Sequence, residues 1–346
     1  MSRRTLIDCV ALGAFALLPL LANALKEPFL VSLFTRLAIY GLAAASLDLL
    51  IGYGALISFG HAAFFSLGGY IVGIIAFHTS QGLPLWGWAG SNSAMVVWPL
   101  ALLACALFGL IVGYLSLRTS GVQFIMITLA FGQMLYHLLG SLSFYGGDDG
   151  ILINERNTLP FFNLDAPVQF YYLCLILLTG WLVLCRRLVG SRFGYVLRGL
   201  KQSERRVISM GLKPLPYRLA TFTIAGLGAG LAGILWANYA MFVSPDMGSW
   251  QKSGELMAMV ILGGAGTLVG PVLGAALYLG LEQILSLLTE HWMVIFGPAL
   301  ILVVLLGHQG LYGLLLGQRQ RRRPKVPRSA AAVTPEPVHL PPEVMP

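Results

Sequence analysis

The segment LCRRLVGSRFGYVLRGLKQSERRVISMGLKPLPYRLA, residues 184–220, is the longest hydrophilic run between apolar stretches of this chain. It carries nine lysine and arginine residues against a single acid, Glu204. The stretches on either side of it are almost free of charge. A basic loop between two apolar stretches is typical of the cytoplasmic side of a membrane protein. The segment therefore predicts a membrane fold and its orientation, and it is the best candidate for contact with a partner.

Composition supports the membrane prediction. Of the 346 residues, 57% are hydrophobic and only 10% are charged, and the mean hydropathy is +0.78. Soluble domains have about 25% charged residues. The net charge of +8 does not indicate nucleic-acid binding, because 18 of the 22 basic residues lie at the N-terminus, at Arg118, in the basic segment and in the tail from Arg319. That distribution follows the positive-inside rule.

The apolar stretches predict an all-α, polytopic bundle of about ten membrane-spanning helices. The predicted spans cover residues 1–25, 30–51, 52–78, 94–117, 122–142, 170–185 and 221–243, two spans or a broken pair within 255–288, and 292–315. Eight spans are the alternative if two glycine-rich pieces are re-entrant. Residues 1–25 also resemble a signal peptide, but an uncleaved first span is favoured because further spans follow at once.

Charge then assigns each loop to a side of the membrane. Ten spans place both termini and the basic coupling loop, residues 186–218, in the cytoplasm, and the acidic loop 143–167 outside. Residues 1–316 form the membrane domain in this interpretation. The tail, 317–346, combines six basic residues with seven prolines, which is typical of a disordered segment. Its basic cluster predicts contact with anionic lipid.

Motifs of soluble enzymes are weak or missing in this sequence. Residues 228–233 match G-x-G-x-x-G, but they lie in an apolar span, where small residues let helices approach closely. The sequence has no G-x-x-x-x-G-K-[ST] motif, no catalytic triad pattern and no metal-ligand spacing of histidines or cysteines. We therefore expect no catalytic residue, metal or cofactor. Asp48 and Glu282 are the most plausible buried acids for proton coupling, but both lie near span ends, which disfavours an ion-coupled carrier.

The basic segment is predicted to contain a short helix. Ser203 followed by Glu204 predicts the start of a short helix, because Ser caps helix N-termini and an acid is favourable in the first turn. Gly211 would end that helix in the left-handed conformation. A helix with a defined start and a defined end favours a rigid element that docks on a partner over a flexible loop that only lies on the lipid surface.

Five separated motifs resemble, in order, those of the LivM-type permeases of branched-chain amino acid ABC importers. They are YGALISFGHAAFFSLGGY (53–70), YGGDDG (145–150), SRFGYVLRGLKQSERRVISMGL (191–212), AGLGAGLAGILWANY (225–239) and ILGGAGTLVGPVLGAAL (261–277). The resemblance covers roughly residues 30–315. It implies an ABC importer permease fold in a bacterial inner membrane. It also implies three kinds of partner: a LivH-like second permease, two ATP-binding subunits and a solute-binding protein.

The same resemblance implies roles for individual residues. The segment 191–212 would be the cytoplasmic coupling helix that docks on an ATPase subunit. The implied contact and stop residues are Ser203, Glu204, Arg205, Arg206 and Gly211. The glycine-rich segments 52–73 and 263–274 would line or flex around the translocation path, with Ser58, His61 and Thr267 as polar candidates.

The sequence thus predicts a permease without an ATPase of its own, which imports branched-chain or related hydrophobic amino acids. Importers of urea, short amides and aromatic compounds share this permease type, so these substrates are alternatives. From other classes, the alternatives are an ion-coupled secondary carrier and an integral-membrane enzyme, the latter disfavoured by the missing catalytic pattern.

Overall fold

The computed structural model describes residues 28–84, 90–160, 162–289, 291, 294–298, 300–301 and 310–315, together with residues 13 and 15. The helices are α1 (Pro28–Asp48), α2 (His61–Gln81), α3 (Ala94–Ser116), α4 (Val122–Gly140), α5 (Pro167–Gly190), α6 (Arg192–Gln202), α7 (Glu204–Ser209), α8 (Pro214–Ala240), α9 (Trp250–Gly263) and α10 (Gly270–Leu288), with a further short helix at Gly310–Leu315. Two short strands, β1 (Ile151–Leu152) and β2 (Phe242–Val243), pair antiparallel. The predicted all-α membrane fold is confirmed.

Seven of the described helices are long and apolar enough to cross a membrane, so the chain is a multi-pass membrane protein. They are Phe29–Tyr53, His61–Gln81, Ala94–Ser116, Val122–Gly140, Pro167–Gly190, Pro214–Ala240 and Gly270–Leu288. α9 has 14 residues. At 1.5 Å per residue it is about 21 Å long, too short for a hydrocarbon core of ~30 Å. The predicted span 1–25 lies outside the described residues except at 13 and 15, and the predicted span 292–315 is described only at 294–298, 300–301 and 310–315. The tail 317–346 lies wholly outside them.

Several predicted span boundaries were wrong. The sixth span is Pro167–Gly190 rather than 170–185. The third span does not begin at residue 52: α1 runs on through a π-helical turn, Leu49–Tyr53, and residues 54–60 are not helical before α2 starts at His61. Ala55 there has a φ of +53°, which does not fit a right-handed helix. The seventh span begins at Pro214 rather than 221, because a proline suits the first turn of a helix. The basic loop is correspondingly shorter.

The core is centred on α8, which packs against α1, α2 and α3. The three glycines of its G-x-G-x-x-G motif are buried. A Cβ on Gly233 would overlap the carbonyl oxygen of Phe65 in α2, and one on Gly230 would meet the Cys105 sulfur in α3. These glycines therefore allow close helix contact, as the sequence predicted, and the motif serves packing.

The acidic loop 143–167 is anchored to the far end of α8. Ile151 of β1 lies opposite Val243 of β2 and is buried. The backbone N–H of Asn157 donates to Oδ1 of Asn238 at 2.9 Å, and Nδ2 of Asn238 donates back to Oδ1 of Asn157 at 3.0 Å. The loop is thus held to the end of α8 by the pairing of β1 with β2 and by the hydrogen bonds between Asn157 and Asn238.

Candidate functional site

The basic segment folds into a helical hairpin, α6 and α7, which we call the basic hairpin (residues 192–209). Ser203 separates the two helices in an extended conformation, and its hydroxyl accepts the N–H of Arg206 at 3.4 Å. Gly211 follows α7 with a φ of +82°, and its N–H donates to the carbonyl of Ile208 at 2.9 Å. The predicted cap and the predicted left-handed stop are both present.

An ion pair fixes this hairpin to the membrane domain. The guanidinium of Arg218, in the second turn of α8, donates to both carboxylate oxygens of Glu204, at 3.1 and 2.9 Å. Such a bidentate pair constrains orientation as well as distance. Glu204 is therefore engaged inside the chain and is a positioning residue of the hairpin.

The two faces of the basic hairpin differ in exposure. Leu197, Leu200 and Val207 are buried beneath it. The outer side carries the exposed residues Tyr195, Arg205, Arg206, Ile208 and Met210. The apolar members are substantially uncovered, at 67% for Tyr195, 53% for Ile208 and 64% for Met210. Exposed apolar side chains among cations are a feature of protein-binding surfaces.

A lysine of the hairpin reaches the end of the first described span. Nζ of Lys201 donates to the carbonyl of Gly52 at 2.5 Å, in the π-helical turn that ends α1. Gly52 also packs on the turn between α9 and α10, where an added Cβ would overlap the backbone of Gly266. The sequence did not predict this link, since Lys201 and Gly52 are 149 positions apart.

Asp48 lies next to that contact and is fully buried. Its two carboxyl oxygens accept the N–H groups of Gly266, at 2.6 Å, and Leu268, at 3.3 Å. Both donors have positive φ, +82° at Gly266 and +61° at Leu268, so the turn is held in an uncommon conformation. Asp48 thus joins the end of α1 to the α9–α10 turn.

The three residues predicted for a translocation path occupy two places. Ser58 and His61 are buried around the start of α2: Nε2 of His61 lies 2.9 Å from Oγ of Ser46, and Oγ of Ser58 accepts the N–H of Gly60 at 3.3 Å. Thr267 lies in the α9–α10 turn and donates to the carbonyl of Gly264 at 2.6 Å. Within the described residues, no hydrogen bond joins Thr267 to Ser58 or His61.

Comparison with known proteins identifies the family. The family described as "Branched-chain amino acid transport system / permease component" matches residues 29–305. The chain belongs to this family. The permease is 28% identical over 324 residues to the high-affinity branched-chain amino acid transport system permease protein LivM of Salmonella typhimurium, covering 85% of this chain and 74% of the relative, and equally to LivM of Escherichia coli. The resemblance seen in the motifs is confirmed.

More distant relatives carry a different name. The permease is 27% identical over 250 residues to the autoinducer 2 import system permease protein LsrC of Salmonella typhi, which covers 68% of this chain and 70% of the relative. No solved structure matches the chain. The function of the permease is therefore that of the membrane component of an ABC importer, and its family is not one of enzymes.

The permease also contains two ion pairs among its apolar helices that the sequence did not predict. Arg36 of α1 lies 2.9 Å from Glu282 of α10, and Lys252 lies 2.7 Å from Glu255 within α9. The sequence shows that charged residues occur within apolar helices. It does not show that Arg36 and Glu282 pair, because they are 246 positions apart and no local pattern connects them. Among the described residues no group of three or more His, Cys, Asp and Glu could hold a metal ion.

Proposed function

We propose that this permease is one of two membrane subunits of an ATP-driven importer for branched-chain or related hydrophobic amino acids. Its partners would be a LivH-like second permease, two ATP-binding subunits and a solute-binding protein. ATP hydrolysis belongs to the ATP-binding subunits in this proposal. The complex lies in a bacterial inner membrane, with both termini and the basic hairpin in the cytoplasm.

The observation that carries the proposal is the construction of the basic hairpin. It is capped by Ser203, stopped by Gly211 and held to α8 by the Glu204–Arg218 pair. Its outer side offers Arg205 and Ile208, both exposed. A rigid hairpin that is bonded to the membrane domain on one side and exposed on the other can transmit the movement of a bound partner to the membrane domain. A flexible basic loop could not, because it would change shape instead of moving as a unit.

A mechanism follows from these contacts. Closure of the ATP-binding subunits moves the hairpin as a rigid body, and Lys201 passes the movement to the end of α1. Asp48 passes it on to the α9–α10 turn. Ser58, His61 and Thr267 belong to the segments that flex around the path. Transport requires only that outward- and inward-open states differ in affinity for ATP and for the loaded binding protein.

The docking role is tested by reversing charge on the outer side of the hairpin. Arg205→Glu combined with Arg206→Glu should abolish co-purification of the ATP-binding subunits while membrane insertion stays normal. Arg118→Glu is the matched control, because Arg118 is an exposed cation at the α3–α4 turn, outside the hairpin. Unchanged co-purification of the double variant would remove the coupling role from the hairpin.

Reconstitution separates an importer subunit from a self-sufficient carrier. We expect uptake of L-leucine into proteoliposomes only when both permeases, the ATP-binding subunits, the binding protein and ATP are present. Uptake by this chain alone, driven by an ion gradient, would contradict the proposal and favour a secondary carrier.

Substrate choice has a second candidate within the same mechanism. Import of a chemically different cargo is favoured by the similarity to a permease named for autoinducer 2 import. Urea, short amides and aromatic compounds are the other candidates for this permease type. Ligand binding by the solute-binding protein of this importer decides among them. Binding of leucine, isoleucine or valine supports the proposal, and exclusive binding of another class overturns its substrate.

A further inference from the structure

Two cations lie beside the Tyr40 ring in the membrane domain, and each pairs with a carboxylate. Besides the two ion pairs, the guanidinium carbon of Arg36 lies 5.8 Å from the centre of the Tyr40 ring, and Nζ of Lys252 lies 5.6 Å from it. We call Arg36, Lys252, Glu255 and Glu282 the charge cluster. It contains two cations and two carboxylates, contributed by α1, α9 and α10.

The charge cluster lies within the length of a membrane-spanning helix. The span Phe29–Tyr53 has 25 residues, and at 1.5 Å per residue it is about 37 Å long. Arg36 is then about 10 Å from its first residue, and Tyr40, at about 16 Å, is close to the middle of the span. Lys252 is at the same depth because it contacts the Tyr40 ring.

This cluster is only partly covered by the chain itself. Exposed fractions of the side chains are 29% for Arg36, 22% for Glu282, 30% for Lys252 and 31% for Glu255. Charged groups at this depth are expensive to place in lipid, and in membrane proteins they face a bundle interior or water. The open side of the cluster therefore does not face lipid.

Backbone outside the α-helices leads directly into the cluster, because Lys252 lies in the first turn of α9 and residues 241–249 precede that helix. The backbone before α9 also turns within the membrane domain, where Val243 packs against Gly73 in the middle of α2. Non-helical backbone at membrane depth is tolerated where protein buries it or where it lines a water-filled cavity.

We propose that the charge cluster lines the water-filled translocation path and takes the charged ends of a zwitterionic substrate during passage. This inference rests on the proposed function and adds a site to it. The cations Arg36 and Lys252 match an α-carboxylate, and the carboxylates Glu255 and Glu282 match an α-ammonium. The empty site is neutral because each charge pairs internally, and a passing zwitterion exchanges one set of pairs for another without leaving any charge unpaired.

Thiol accessibility tests the aqueous path in the complete importer. Glu255→Cys is compared with Gly180→Cys, in a background whose four native cysteines are replaced by alanine. Gly180 is the control, because it lies on the exposed face of α5 beside apolar Ile176 and Val183. The probe is the charged, membrane-impermeant reagent 2-(trimethylammonium)ethyl methanethiosulfonate, applied to intact cells and to inside-out vesicles.

We expect the thiol at position 255 to react about tenfold faster or more than the thiol at 180 in at least one of the two preparations, because only hydrated thiolates react with this reagent. Equal or slower labelling at 255 in both preparations would overturn the aqueous path and indicate a surface sealed by another subunit. Labelling at 255, where the importer with its native Glu255 does not transport L-leucine, would support the path and place the failure in the proposed substrate.

The role of the charges needs a separate measurement. Lys252→Met should raise the KM for L-leucine uptake about tenfold, as expected for one lost charge-assisted hydrogen bond, and Lys252→Arg should restore it. A purely structural effect would lower expression of the Met variant and leave KM unchanged. An unchanged KM in well-expressed Lys252→Met importer would overturn the zwitterion site.

Discussion

At the scale of single residues, Asp48 has the most demanding position. Its side chain is fully buried at the end of a membrane-spanning helix, and backbone N–H groups from a turn 218 and 220 positions away satisfy its two oxygens. Buried carboxyl groups are stable only when such donors are supplied. The residue that the sequence suggested for proton coupling therefore has a structural task, namely to hold the α9–α10 turn.

Replacing Asp48 tests that task. Asp48→Asn keeps the shape but turns an NH₂ group toward one of the two N–H donors, so one hydrogen bond is lost. We expect destabilisation of about 2 kcal/mol, the range for hydrogen bonds to charged groups. Thermal unfolding in detergent measures it, with Asp149→Asn in the exposed part of the 143–167 loop as control. Equal melting temperatures of the two variants would contradict the structural role of Asp48.

Glu204 illustrates a different outcome at the same scale. The resemblance implied that it contacts the ATPase subunit, and that role stays a prediction: its carboxylate pairs with Arg218, while 41% of the side chain is exposed. The pair is partly exposed, so its own contribution to stability is at most about 1 kcal/mol. What the pair does in the structure is hold α7 against α8.

At the scale of elements, the close contact between α2 and α8 depends on glycines, which have no side chain to keep the two helices apart. Gly68 and Gly233 each face a backbone carbonyl of the opposite helix so closely that a Cβ would overlap it. Helices in lipid associate through such close approach, because burial of apolar surface offers little driving force there.

Alanine substitution separates this packing role from helix propensity. Gly233→Ala should destabilise the permease by about 3 kcal/mol, the upper end for overpacking, because backbone atoms cannot move aside as side chains do. Gly180→Ala gains up to about 1 kcal/mol from helix propensity, since nothing lies near its added Cβ. Accumulation in membranes and the melting temperature of each variant check both values, and similar behaviour of the two would refute the packing role.

At the scale of the whole molecule, a line of contacts runs from the basic hairpin into the membrane domain. Lys201 bonds to Gly52, Gly52 packs against Gly266, and Gly266 is held by Asp48. The line ends at the turn from which α9 leads back to the charge cluster. Movement of the hairpin would therefore reach the proposed path through contacts that are already made.

Removing the hydrogen bond between Lys201 and Gly52 should uncouple ATP hydrolysis from transport. Lys201→Met removes one surface hydrogen bond, so the free energy of unfolding should fall by no more than about 1 kcal/mol. We expect ATPase activity of the complex to persist while L-leucine transported per ATP falls severalfold. Lys213→Met, at an exposed lysine next to α8, is the control. An unchanged transport ratio would show that the hairpin acts on the membrane domain by another route.

The sequence by itself determined the features that depend on neighbouring residues. Hydropathy fixed the membrane class, the serine and glycine at 203 and 211 fixed the ends of a short helix, and glycines near 263–271 fixed the break within a long apolar stretch. Each of these follows from interactions within one or two helical turns, or from the bilayer thickness. The start of α2 was missed, because a glycine-rich apolar stretch does not mark where helix gives way to loop.

Only the tertiary structure decided which distant groups meet. The partners of Asp48, Lys201 and Arg36 lie 149 to 246 positions away. Which face of a helix meets a neighbour depends on how the whole bundle packs, and almost uniformly apolar helices carry little record of it in their sequences. Pairing of charges across the bundle and the pairing of Glu204 with Arg218 are consequences of that packing.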